Sequence, residues 1–235
     1  MTSKRGLAAA AAAAALTTSL LYRPRLLIKL LAKSSPAVLF YVPTKARAIA
    51  LTIDDGPHPY LTPKILDVLA RFGARATFFL LGERVAGNEG LIERIVAEGH
   101  ELGNHQMSDI PGILLEPEAF RQQLLQADAI LRRYAAVRWF RPGSGWYNAR
   151  MLRQIAGFGY RCVLGSVYPY DAHLHFAPLL SAYTLANVFP GAILALHDGA
   201  WERRHTVTVL EQVLPRLQAR GYRVLTLSDL AALAD

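Results

Sequence analysis

From residue 46 onward, short apolar runs alternate with stretches in which apolar residues recur every three or four positions. The runs predict strands at 48–53, 76–82, 100–105, 139–142, 161–166, 192–197 and 223–227. The helical spacing predicts helices at 62–72, 91–98, 118–134, 148–157, 178–188 and 206–220, several of them stopped by a glycine such as Gly73 or Gly99. Seven strands alternating with helices, with no repeat and no low-complexity linker after residue 45, imply one parallel α/β domain. Periodicity alone leaves an open doubly wound sheet and a closed barrel equally possible.

Polar residues gather where the apolar runs end, and this gives the pattern a chemical reading. The first run ends on Asp54-Asp55-Gly-Pro and the sixth on His197-Asp198. Between them come Asn104-His105 with Asp109, then Arg141, then Asp171. The carboxyl ends of parallel strands are where α/β folds place their chemistry. Carboxylates after the first strand leave no glycine-rich phosphate loop, which argues against a nucleotide site. Neighbouring strand residues point to opposite faces, so Asp54 and Asp55 are expected to differ in role, one as base and one as ligand. His105 and Asp109 stand four apart, the spacing of one helical turn. With Asp55 they form a candidate three-ligand metal set with an open position.

Composition changes the picture only at the N-terminus. The chain of 235 residues carries a formal net charge of +8. Eight of its 26 Lys and Arg residues precede Asp54, the first acidic residue, and the other 18 match the 18 Asp and Glu. All but Arg47 of those eight lie in residues 1–45, so the basicity belongs there rather than to the nearly neutral α/β domain at 46–235, and a nucleic-acid partner is not expected. Lys4-Arg5, an apolar run of about 16 residues ending at Leu21, and Arg23 resemble an export signal. The run falls short of the roughly 20 residues of a comfortable membrane span. A cleaved signal, an uncleaved anchor and an ordinary helix all remain open; the lack of a clear cleavage site favours the anchor, with the α/β domain outside the cytoplasm. The basic amphipathic stretch at 26–33 suits an anionic membrane surface. The single cysteine, Cys162, sits in an apolar run and reads as an inert buried thiol.

These motifs, in this order, resemble the polysaccharide deacetylases of the NodB-homology type, the family-four carbohydrate esterases. The resemblance spans about residues 46–230 and is carried by TIDDGP at 52–57, GHELGNH at 99–105, Arg141-Pro142, and LALHD at 194–198. It implies a distorted (β/α)7 barrel that hydrolyses an N-acetyl amide on a glycan such as a chitin oligomer or peptidoglycan. It also implies roles: Asp54 as general base, Arg141 as its tether, His197 as general acid and Asp171 as the carboxylate polarising it. Asp55 and His105 would hold a divalent metal, zinc first, with manganese or cobalt as alternatives. A backbone amide near Ser144 would face the oxyanion, Leu196 would line the acetyl pocket, and Trp146 would contact substrate. Asp109 stands where the family has a second His, Gly143 and Ser144 replace Pro and Tyr, and Ala172 replaces Trp. A glycan-binding barrel without turnover, or an amidase for a small non-sugar substrate, remain the alternative readings.

Overall fold

A computed structural model describes residues 25–235, so the expected signal or anchor at 6–21 lies outside the described residues. The chain runs α1 (Arg25–Ser34), β1 (Val38–Leu39), β2 (Ala48–Gly56), α2 (Leu61–Arg71), β3 (Ala76–Leu80), α3 (Glu89–Ala97), β4 (Glu101–Asn104) and α4 (Pro117–Leu131). It continues with β5 (Trp139–Phe140), α5 (Ala149–Gly157), β6 (Arg161–Val163), α6 (Ala177–Asn187), β7 (Ile193–His197), α7 (His205–Ala219), β8 (Arg223–Leu225) and α8 (Leu227–Ala231). The predicted alternation is present, with β1, α1 and α8 added. The strands lie in the order β1-β6-β5-β4-β3-β2-β7, all parallel, with β8 also paired to β2.

The sheet closes on itself. Past the end of β6, Ser166 N donates to Ile193 O at 3.0 Å, and Val167 bridges Leu194 on β7. The question left open by periodicity is thereby answered in favour of a barrel, distorted because this last seam is a bridge rather than a full ladder.

Strand parity then sorts the side chains. On β2, Ile49, Leu51 and Ile53 join the core between barrel and helices, whereas Ala48 and Ala50 join a second apolar cluster with Phe79, Ile193, Leu227 and Leu230. The same alternation puts Thr52 and Asp54 on the inner face. Small residues low on the strand and polar ones at its carboxyl end leave the inside filled at one end and chemical at the other. Outside, α2 buries Ile65, Leu66, Val68 and Leu69. Gly73, at φ 55°, ends that helix in the left-handed conformation that glycine takes without strain.

The expected boundary at residue 45 does not separate the N-terminal segment from the barrel. β1 pairs with β6 in the register Val38–Cys162 and Leu39–Val163. Ile28 of α1 is buried in the main core, and Arg25 donates to Val188 O at 2.9 Å. The amphipathic pattern at 26–33 does form a helix, but its buried residue faces the barrel. Cys162 is buried as expected, and burial pushes its thiol up to about 12.

Candidate active site

Asp54 ends the inner row of β2, and its register partner on β7 is His197. Partners on adjacent strands lie about 4.8 Å apart, so the two proposed proton-transfer groups are neighbours by construction. Asp54 Oδ1 accepts from Arg141 Nη1 at 2.6 Å, and the same nitrogen donates to Thr52 Oγ1 at 2.6 Å. The Arg141 guanidinium also lies 4.4 Å from the centre of the Phe79 ring. A buried cation held by a carboxylate, a hydroxyl and a ring face has one geometry, and Asp54 inherits it.

Asp55 should point outward by parity, yet it lines the same cavity as Asp54. Its φ of 70° and a register shift between Asp54 and Gly56 against β3 turn it inward. Asp55 Oδ1 then lies 3.0 Å from His105 Nε2, and Oδ2 accepts from Arg203. His105 Nδ1 donates to Arg141 O at 2.6 Å, which leaves Nε2 as the ring nitrogen that faces Asp55. Burial alone would raise Asp55, but the His105 hydrogen bond and the charges of His105, His197 and Arg203 hold it well below the usual carboxylate range. Burial opposes the charge on His105, and the bond to Asp55 outweighs it, so the imidazole lies above its ordinary value.

Nδ1 of His197 donates to Asp171 Oδ1 at 2.9 Å, and the His197 backbone N–H donates to Oδ2 at 2.7 Å. Thr206 Oγ1 also donates to Oδ2 at 3.0 Å. Burial works against protonation of His197, but Asp171, helped by the charges of Asp54 and Asp55, pushes it up to about 9. At neutral pH it is therefore a protonated acid.

A cavity of about 600 Å³ joins these groups, lined by Asp54, Asp55, His105, Asp109, Arg141, Ser144, Asp171 and His197 among others. Three expectations need correction. His105 and Asp109 do not share a helical turn: Gln106 takes φ 66° and its side-chain amide donates to Ser108 O and Ile110 O, so the segment unwinds. Asp109 is exposed at the lip, and among the described residues no three His, Cys, Asp or Glu side chains converge as an ion-holding set. Leu196 is fully buried in the core packed against helices, because His197 points inward and its strand neighbour must point out. Trp146 is 64% exposed and outside the cavity lining, carried past it by left-handed Ser144 and Gly145.

Residue reasoning missed three supports. Arg203 reaches Asp55 from the turn before α7, Arg84 donates to Asp55 O at 2.9 Å, and His205 Nε2 lies 2.8 Å from Asp171 O. The run of arginines after Trp201 was the only signal for the first. Asp198, fully buried, keeps one oxygen without a partner while the other accepts from Thr62. Burial pushes its carboxyl up to about 7.

Carboxylates and imidazoles at the carboxyl ends of a closed parallel barrel define a hydrolase-type site. The chain belongs to the polysaccharide deacetylase family, whose model matches residues 41–163. It is 35% identical over 196 residues to a peptidoglycan-N-acetylglucosamine deacetylase of Bacillus cereus, covering 82% of this chain and 92% of the relative. It is 36% identical over 198 residues to a chitooligosaccharide deacetylase of a Bradyrhizobium strain, covering 78% and 90%. A family 4 acetyl xylan esterase from Clostridium thermocellum, solved in complex with a cobalt ion, superposes with a TM-score of 0.74 at 30% identity, covering 79% of this chain and 91% of that one.

Proposed function

We propose that this chain is a metal-dependent deacetylase that removes N-acetyl groups from N-acetylglucosamine-type glycans. The observation that carries the reading is the pairing of a tethered carboxylate, Asp54, with a protonated imidazole, His197, on adjacent strands of one cavity. Amide hydrolysis needs a base for water and an acid for the departing amine. Asp54, fixed by Arg141, takes the proton from the attacking water. His197, whose Nδ1 is engaged by Asp171, has only Nε2 from which to deliver a proton to the amine.

Asp55 and His105 fit a divalent cation, because a ring nitrogen with its tautomer set by a carbonyl already faces a carboxylate oxygen. When bound, the ion supplies Lewis acidity to the acetyl carbonyl and to the attacking water. Asp109 stands exposed at the lip of the same cavity and does not converge with them, so it would become a third ligand only by moving inward; one nitrogen with two oxygen ligands would then suit zinc, manganese or cobalt. Titration with zinc and with manganese tests this set: Asp55→Ala abolishes binding and Asp109→Ala weakens it at least roughly tenfold. Unchanged affinity in Asp109→Ala removes that residue from the set.

Acetate release from N-acetylglucosamine oligomers by the metal-loaded protein tests the function. Binding of the same oligomers without acetate would leave a glycan-binding barrel. We also propose that residues 1–24 bring the barrel to a membrane, on the strength of their apolar run and the absence of acidic residues before Asp54.

A further inference from the structure

The cavity that holds Asp54 and His197 has a wall that the chemistry above does not use. Ile28 and Leu31 of α1, Phe40 just after β1, and Leu164 after β6 all line it. These side chains offer no hydrogen-bonding atom, so sugar hydroxyls placed against them would give up water without replacement. Ser144 and Ala172, both small, also line the cavity, together with the polar Tyr168, Tyr170 and His173. A cavity of about 600 Å³ is of a size that encloses a drug-sized ligand rather than an acetyl group alone.

The wall is built into the fold. Ile28 is 9% exposed and belongs to the main core, and Phe40 is 4% exposed. Arg25 ties the start of α1 to Val188 O and lies 5.0 Å from the centre of the Phe189 ring. At its other end Tyr147 donates to Ser35 Oγ at 3.1 Å. Leu31, 38% exposed, faces the open part of the cavity on a helix fixed at both ends.

We infer that the substrate is an amphiphilic amino sugar, carrying an alkyl or prenyl chain that lies along Ile28, Leu31, Phe40 and Leu164 while the acetamido group meets Asp54 and His197. The inference rests on the deacetylase reading for the position of the sugar, and on the aliphatic wall for the chain.

The test is calorimetric titration of the full chain with hexyl and with methyl N-acetyl-β-glucosaminide, which differ only in the alkyl group. The hexyl compound binds at least about tenfold tighter, as partial burial of five further methylenes requires. Leu31→Asp erases that preference, Leu31→Ala reduces it, and Leu30→Asp, on the same helix but 65% exposed and outside the cavity lining, retains it. Equal affinity for the two glycosides, or a preference that survives Leu31→Asp, overturns the inference. Acetate release from N-acetylglucosamine oligomers by the metal-loaded protein is followed in parallel. Its absence sinks the deacetylase reading and leaves the binding comparison to decide the wall separately.

Discussion

Single residues set the proton chemistry here. His197 has a folded-state value of about 9 against an ordinary 6.5, so the folded chain holds this proton more tightly than the unfolded chain does. The resulting stabilisation is complete below about pH 6.5 and is lost as the pH rises through 9. Asp198 acts in the same direction: its carboxyl at about 7, against 3.8 unfolded, makes folding less favourable once the group must ionise. Metal-free protein is therefore expected to melt several degrees lower at pH 9 than at pH 5.5 in scanning calorimetry. Asp198→Asn flattens the part of that decline below pH 8. For the reaction, Asp171→Asn moves the alkaline limb of kcat/KM to lower pH by about one unit or more, since the largest favourable influence on His197 is gone. Asp54→Asn lowers kcat by about 10²–10⁴ with metal still bound; near-normal turnover would remove Asp54 from the base role.

At the scale of elements, strand parity decides which residues reach the cavity, and it explains both the success and the failure of the sequence reading. The strand ends were legible because a buried parallel strand is an unbroken apolar run, and its terminating polar residues stand out. Asp54, His197 and Arg141 follow from that alone. Leu196 was misplaced because its neighbourhood to His197 in sequence is an opposition in space. The inward turn of Asp55 depends on a left-handed residue and a bulge, which no alternation of apolar residues encodes. Gly199 makes that turn possible: a Cβ there would stand 2.5 Å from Asp55 Cβ and 2.7 Å from Asp55 O. Gly199→Ala is expected to cost about 1–3 kcal/mol and to weaken metal binding with it, read by thermal melts and metal titration on one sample.

The whole molecule joins two regions that the sequence seemed to separate. Charge placed a boundary near residue 45, and charge is blind to the burial of Ile28 and to the pairing of β1 with β6. Removing residues 1–24 is expected to leave the melting temperature unchanged while the protein ceases to sediment with membranes. Removing residues 1–35 strips α1 from the core. Loss of Ile28 alone is of the order of 2 kcal/mol, or roughly 4–8 °C for a chain of this size. Sedimentation of the 25–235 protein with vesicles as strong as that of the full chain would end the membrane proposal.

Because α1 is riveted to the barrel at Val188 and Tyr147, the length of free tether is set by what precedes it. Three residues separate Leu21, the end of the apolar run, from Arg25, and the contour from Leu21 to Arg25 is at most about 14 Å. With that run seated in a bilayer, the cavity behind Leu31 could not wander through bulk solution. It would patrol a layer a few nanometres deep, where surface-bound glycan is met by lateral diffusion, and lengthening the leash would dilute the encounter without touching a catalytic atom.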